Sequence, residues 1–373
     1  MLFVLLFGIF VAYKIQAYLF KKFWNKNLSA KIQFTDPYIY EGESSSLKEV
    51  VINDKSLPLP AVSVRFALSR NLELKHGGQE NSTTTDQTYR RDIFSFLFHQ
   101  QITRTLPFVG KRRGYYEIND TEITASDLFF HKTMQMHIKQ ASQMYVFPAP
   151  VNVDRIHNIC RAISGMILTQ NRLHPDPFEF SGIREYRKED PMNHINWKAS
   201  ARTGSLMVNQ FASTTNIELT MLFDLEDRYI LKYPELLEET IRIVSSLAAK
   251  LAAAKMPLTV KGNVYERDTK NPFQEYLPSG GSKMSDLNQK LACVDSEDIA
   301  YTFESLLEKE ANQTTGDHTY ILISKNSTPQ IIEQIQQLIS HNNHILWIIP
   351  MTNQEQEIPC SMPSLEIIRW EVE

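Results

Sequence analysis

The segment Ile217–Asp224, IELTMLFD, decides the fold class of the carboxyl-terminal part of this chain. An apolar run of this length that ends at a carboxylate is typical of a buried strand in a parallel sheet. Pro234 then opens a helical stretch with one apolar face, which closes before Pro257. Strand and helix patterns alternate from there on, with strands predicted at 258–260, 319–324, 344–349 and 365–372, and helices at 284–293, 299–311 and 329–341. The alternation predicts a doubly wound α/β sheet over residues 216–373.

Doubly wound sheets bind ligands at the carboxyl ends of their strands. Asp224 ends the first predicted strand of this sheet, and Ser324 and Lys325 end a later one. A von Willebrand A-type metal site has Asp-x-Ser-x-Ser at such a position, whereas Glu226 and Arg228 stand at the Ser positions here. Because Arg228 would place a positive charge near the ion, we expect a degenerate site near Asp224 and Glu226 that holds no metal. No cofactor is predicted.

Upstream of the sheet, Phe178–Val208 reads FEFSGIREYRKEDPMNHINWKASARTGSLMV and mixes charged with aromatic residues without helical or strand periodicity. This mixture indicates either an ion-paired seam between domains or a surface that positions a partner. The expected interaction residues are Arg184, Glu185, Tyr186, Asp190, Trp197, Lys198, Ser200 and Arg202. We expect the charged ones to pair partly among themselves and the two aromatic ones to form a packing floor. None is predicted to be catalytic, because the chain contains no GxSxG, HExxH, GxGxxG or phosphate-binding-loop motif.

Residues 25–150 have the pattern of an antiparallel β-sandwich. Short apolar alternations at 48–52 and 62–66 are separated by turn residues, and a strand at 145–147 ends before Pro148. Strands of this length, joined by polar turns, are typical of two packed sheets. The amino-terminal half therefore differs in fold class from the α/β part that follows it.

The first 24 residues predict a transmembrane anchor. The run from Met1 to Tyr13 is continuously apolar, and the pattern resumes after Lys14, which gives roughly the 20 residues needed to cross a bilayer. Lys21 and Lys22 follow, and the positive-inside rule then predicts a single-pass protein of the cell membrane with its folded domains in the cytoplasm. A cleaved export signal is the alternative interpretation. The basic residues of such a signal precede its apolar core, whereas here they follow the apolar run.

Composition narrows the possible partners. The 39 Lys and Arg against 43 Asp and Glu leave a formal charge of −4, which argues against nucleic acid as a partner. The three cysteines, Cys160, Cys293 and Cys360, have neither zinc-site spacing nor the even number of a disulfide framework. We therefore expect the folded domains to lie in a reducing compartment.

The segment Phe178–Val208 resembles the signature of the bacterial domain-of-unknown-function 58 family. The matching positions are Phe180, Gly182, Arg184, Glu185, Tyr186, Asp190, Ile195, Trp197, Lys198, Ser200, Ala201, Arg202, Gly204 and Leu206. Two positions depart from the pattern, since Glu189 replaces a Gly and Asn193 an Arg. The resemblance implies a multidomain α+β chain: transmembrane anchor 1–24, β-sandwich 25–150, connector with the signature 151–215, and a von Willebrand A-like α/β domain 216–373.

The resemblance also implies a function. Members of this family often occur beside MoxR-type AAA+ ATPases, so we expect a membrane-anchored, non-enzymatic scaffold or adaptor for such an ATPase in complex assembly or stress response. A hydrolase or transferase that uses the charged signature residues on an anionic substrate is the alternative. Turnover by the purified protein that is lost with Lys198→Ala would favour this second hypothesis.

Overall fold

The computed structural model describes the chain apart from residues 1, 76–79, 85–86, 174–179, 188–189, 212–218, 229–231, 280, 315, 353–361, 363 and 373. The chain divides into two compact units. The first comprises residues 1–149 with 291–293, and the second comprises residues 150–290 with 294–373. Each unit contains a cluster of buried apolar side chains.

The first unit is built from two sheets that follow helix α1 (Leu2–Phe23). One sheet has the order β1-β3-β8-β5 and the other the order β2-β10-β9-β4-β7-β6. Their strands are β1 Leu28–Phe34, β2 Tyr38–Tyr40, β3 Ser44–Asn53, β4 Leu59–Ser69, β5 Leu72–Leu74, β6 Glu80–Thr84, β7 Gln87–Phe96, β8 Gln100–Gly110, β9 Gly114–Ser126 and β10 Thr133–Phe147. All neighbours pair antiparallel except β2 and β10, and the strands predicted at 48–52 and 62–66 are confirmed as parts of β3 and β4.

The core of this unit follows from alternation along the strands. Inward residues from strands of both sheets, such as Leu47, Val64 and Phe108, are completely buried and belong to one cluster. Because side chains on a strand point alternately to opposite faces, each strand contributes every second residue to that core.

The predicted membrane anchor at residues 1–24 is wrong. A helix forms there, but none of the helices in the described ranges is long and apolar enough to cross a membrane. Lys14 and Gln16 interrupt the apolar run, and Phe20 is buried in the core of the first unit. The fold is α+β with several sheets.

The second unit is centred on a six-stranded sheet with the order β15-β14-β13-β16-β17-β18. All its neighbours pair parallel except β15, which lies antiparallel at one edge. The strands are β13 Leu219–Phe223, β14 Leu258–Tyr265, β15 Pro272–Leu277, β16 Thr319–Ile323, β17 His344–Met351 and β18 Leu365–Glu371. The helices of this unit outside residues 180–211 are α2 Val153–Leu173, α4 Pro234–Ala253, α5 Met284–Cys293, α6 Phe303–Gln313 and α7 Pro329–Ser340.

Helix starts in this unit obey local capping chemistry. The hydroxyl of Thr302 accepts a hydrogen bond from the Ser305 amide at the start of α6, and Thr328 accepts one from Ile331 at the start of α7. Pro329 occupies the first turn of α7, where its missing N–H costs nothing. These signals are local, so the predicted helices at 284–293, 299–311 and 329–341 are confirmed within a few residues.

The strand order brings two chain segments together. From β13 the chain moves outward to β14 and β15 and then returns to β16 on the other side of β13. The carboxyl ends of β13 and β16 are therefore adjacent, and the strand order reverses between them. Asp224 and Ser324 follow directly after these two strands. Ile217 and Glu218, which begin the predicted first strand, lie outside the described residues.

Candidate functional site

The signature residues form a small subdomain, which we call the signature subdomain. It consists of β11 (Phe180–Glu185), a single 3-10 turn (Met192–His194), α3 (Trp197–Thr203) and β12 (Met207–Phe211). β11 and β12 pair antiparallel, and Ile195 and Val208, both buried, form an additional bridge. Glu189 lies outside the described residues.

An ion pair closes the turn after β11. The Arg184 guanidinium donates to both carboxylate oxygens of Asp190, each at 2.6 Å, and the Arg187 amide donates to the same carboxylate at 2.8 Å. These hydrogen bonds, with that from Arg184 contributing most, lower the pKa of Asp190 to about 2. The expected pairing within the signature is thus confirmed for these two residues.

Hydrogen bonds also fix α3 onto β12. The Asn196 side chain accepts from the Ala199 amide as the N-cap of α3 and donates to Asn209 at 2.7 Å. The Ser200 hydroxyl donates to the Asn196 carbonyl and accepts from the Met207 amide, each at 2.8 Å. Ser200 is therefore a structural residue that joins helix and strand.

Several of the described side chains of the signature subdomain are exposed. Trp197 is 69% exposed and Met192 is 75% exposed, contrary to the expectation that Trp197 forms a packing floor. Lys198 and Arg202 are exposed on α3, and Glu185 is exposed at the end of β11. Sequence reasoning missed Met192, although a large apolar residue beside Pro191 in a charged stretch was an available signal. Tyr186 is partly buried, and its amide donates to the Leu206 carbonyl.

The second candidate location is the carboxyl edge of the parallel sheet, where Asp224 is buried. One of its oxygens accepts hydrogen bonds from the Asn263 side chain at 2.7 Å and the Glu226 amide at 2.9 Å. The other accepts from the Ser324 hydroxyl at 2.7 Å and the Asn326 side chain at 2.8 Å. Complete burial raises the pKa of Asp224, and the four donors act in the opposite direction.

Charged side chains surround this carboxylate. Arg228 forms ion pairs with Glu304 at the start of α6 and with Glu226, and these contacts, that with Glu304 above all, raise its pKa. Lys325 is completely buried and lies 2.6 Å from a carboxylate oxygen of Asp227. Each neighbouring charge thus has an opposite charge in contact.

A divalent cation does not fit this arrangement. A carboxylate has about four lone-pair sites, and protein donors occupy all four on Asp224. The carboxylates of Glu226 and Glu304 already bind the guanidinium of Arg228. Among the described residues, no three His, Cys, Asp or Glu side chains are grouped to hold a metal ion. Sequence reasoning placed Asp224 and Ser324 at one edge but missed Asn263, a completely buried polar residue within β14.

We expect the thermal transition of this protein to be the same in MgCl₂ and in EDTA. A ligand that binds only the folded state raises the transition temperature, and here a cation would first have to displace a buried donor from Asp224. Differential scanning calorimetry of the full chain checks this, with a known Mg²⁺-binding protein as the positive control. An increase in transition temperature with Mg²⁺ concentration would contradict it.

The fold and these two locations define an α+β protein. Its parallel sheet contains a buried carboxylate that protein donors fully hydrogen-bond, and its signature subdomain exposes apolar and basic side chains. Residues 182–359 match the family model described as "Protein of unknown function DUF58". The match confirms the DUF58 family resemblance that the signature predicts, over a little under half of the chain. No curated protein matched the chain.

Similar solved structures are distant. AvmM, which catalyses macrocyclization in alchivemycin A biosynthesis, is 8% identical with a TM-score of 0.25, over 35% of this chain and 93% of that one. The CARDB domain of a Pyrococcus furiosus protein is 10% identical with a TM-score of 0.20, over 32% and 88%. A non-cellulosomal cohesin from Archaeoglobus fulgidus is 9% identical with a TM-score of 0.22, over 35% and 96%. At these scores none of them carries an argument about function.

Proposed function

We propose that this protein is a non-enzymatic scaffold that docks a protein partner on the exposed face of its signature subdomain. The observation that carries this proposal is the exposure of Trp197, at 69%, on a framework that hydrogen bonds hold in place. An indole left in water costs free energy that burial at an interface recovers, and Trp is enriched among the residues that dominate binding.

The framework beneath this face supports a binding role. The Arg184–Asp190 pair, the Asn196 cap and the Ser200 bridge hold the backbone on either side of Trp197. A surface that is ordered before binding loses less conformational entropy when a partner arrives. The same hydrogen bonds occupy Ser200 and Asp190, which weakens the alternative in which signature residues act on a substrate.

The partner that we propose is an AAA+ ATPase of the MoxR type. The support is the association of the DUF58 family with such ATPases, which the family resemblance extends to this chain. The role in complex assembly or stress response follows from the same association and stays a prediction, as does the cytoplasmic location.

Trp197→Ala should weaken binding of a purified MoxR-type ATPase from the same organism by about tenfold or more. The variant should keep its fold, because substitutions at exposed positions usually change stability by about 0.5 kcal/mol or less. Binding is measured by biolayer interferometry and folding by circular dichroism. Tyr276→Ala is the matched control, since Tyr276 is an aromatic residue on β15 that is 52% exposed. Equal ATPase binding by both variants, or no binding by the parent protein, would contradict the proposal.

A further inference from the structure

Helix α3 presents two exposed stripes side by side. Trp197 and Ala201 are four residues apart and form the apolar stripe, and Lys198 and Arg202 form the basic stripe. Successive residues of an α-helix are about 100° apart around its axis, so the two stripes run parallel. Residues four apart are separated by about 6 Å along the axis, which sets the spacing within each stripe.

The basic stripe has no partner within the part of the chain that the structure describes. In those ranges, neither the Lys198 ammonium nor the Arg202 guanidinium has an ion pair or hydrogen bond. The Asp190 carboxylate of the signature turn is engaged by Arg184 and the Arg187 amide. The exposed charged residues that the structure describes in the signature subdomain are Arg187, Lys198 and Arg202 against Glu185, although the whole chain carries a formal −4.

We infer that the segment docked on α3 is an acidic, amphipathic helix of the partner protein. Such a helix presents carboxylates four residues apart, which matches the spacing of Lys198 and Arg202, next to large apolar side chains that cover Trp197. A phosphate backbone would satisfy the two cations but not the exposed Trp197 and Met192 side chains. Two cations are also few for nucleic-acid affinity. The inference rests on the proposed docking function and adds the chemistry of the partner.

Three short fluorescein-labelled helical peptides test this inference against the full chain by fluorescence anisotropy. The first carries Leu and Glu in adjacent i, i+4 stripes, the second replaces every Glu with Lys, and the third replaces every Leu with Ser. We expect the first to bind most tightly and its affinity to fall as NaCl is added, because salt screens exposed charges. The Lys198→Gln/Arg202→Gln variant should bind it about tenfold more weakly, and Trp197→Ala should weaken it similarly.

Lys309→Gln is the matched control, since Lys309 is an exposed lysine on helix α6 of the same unit. Equal binding of the Glu and Lys peptides, unchanged affinity in the Lys198→Gln/Arg202→Gln variant, or no binding of the first peptide would overturn the inference. The outcome is separable from the proposed function. The ATPase could bind Trp197→Ala more weakly and still bind Lys198→Gln/Arg202→Gln as tightly as the parent protein. That result would support the docking role and reject the acidic partner helix.

Discussion

Replacing Asp224 with Ala should lower the free energy of unfolding of the second unit by ~3–5 kcal/mol. The carboxylate accepts four hydrogen bonds at the carboxyl edge of the sheet. Removing it leaves the buried Asn263 amide and the partly buried Glu226 N–H without their acceptor. Each buried donor left unsatisfied costs ~1–3 kcal/mol. Urea titration of the full chain, followed by circular dichroism and calorimetry, measures the loss.

Two comparisons make this prediction specific. Ser324→Ala removes only one of the four donors, so it should cost ~1 kcal/mol. Asp268→Ala, at an exposed position between β14 and β15, should change the free energy of unfolding by about 0.5 kcal/mol or less. If Asp224→Ala is as stable as Asp268→Ala, the four hydrogen bonds do not hold this edge of the sheet together.

The sequence alone is sufficient to predict the parallel strands of this sheet and the adjacency of Asp224 and Ser324, but it did not predict the antiparallel edge strand β15. These follow from apolar runs, proline and threonine helix starts, and the rule that parallel strands share a carboxyl edge. The predicted helix 284–293 coincides with α5, and the strand 344–349 lies within β17. Such features depend on residues a few positions apart in the sequence, and a sequence pattern contains that local information.

Features that depend on contacts between distant residues could not be predicted. Gly262 is an example: a Cβ there would lie 2.3 Å from the ring of Phe223 on the neighbouring strand, so only glycine permits that packing. The exposure of Trp197 is another, because an aromatic residue in a charged stretch has the same sequence pattern whether it is covered or not. The burial of Phe20 in the core of the first unit is a third, because an apolar residue has the same hydropathy whether lipid or protein surrounds it.

A buried cluster of charged residues in the first unit could have been predicted in part from the alternation of its strands. Alternation along β3 places Glu49 on the same face as Leu47 and Val51, and alternation along β7 places Arg90 and Asp92 on a buried face. The charged residues thus point into the sandwich with the core. Only the structure shows that they meet there, because the two strands belong to different sheets.

Glu49→Gln should stabilise the first unit at pH 8 and remove most of its pH dependence above pH 4.5. Glu49 is completely buried, and burial, followed by repulsion from Asp92, raises its pKa to about 8. Asp92 accepts hydrogen bonds from Arg90 and Arg104. Among the described residues neither carboxyl oxygen of Glu49 has a hydrogen-bond partner, so no hydrogen bond offsets the cost of burying its charged form.

The direction of the pH effect follows from where the proton is held. Below about pH 4.5 Glu49 is protonated in the folded and unfolded chains alike, and its full contribution to stability is present. Between about pH 4.5 and 8 only the folded chain holds the proton, so stability falls by ~1.4 kcal/mol per pH unit, to a total of ~5 kcal/mol at most. Gln has no proton to lose, so the variant keeps its stability across this range.

Urea unfolding of the parent and the variant between pH 4.5 and 8.5 measures the difference. We expect near-equal stability at the acidic end and a gap of several kcal/mol at the basic end, with Gln the more stable. Glu117→Gln, on the exposed face of β9, is the matched control and should leave the pH profile of the parent unchanged. A Glu49→Gln profile parallel to that of the parent would show that Glu49 is ionised in the folded protein. Arg90 and Arg104 would then neutralise both carboxylates, and burial would not decide the protonation state of this cluster.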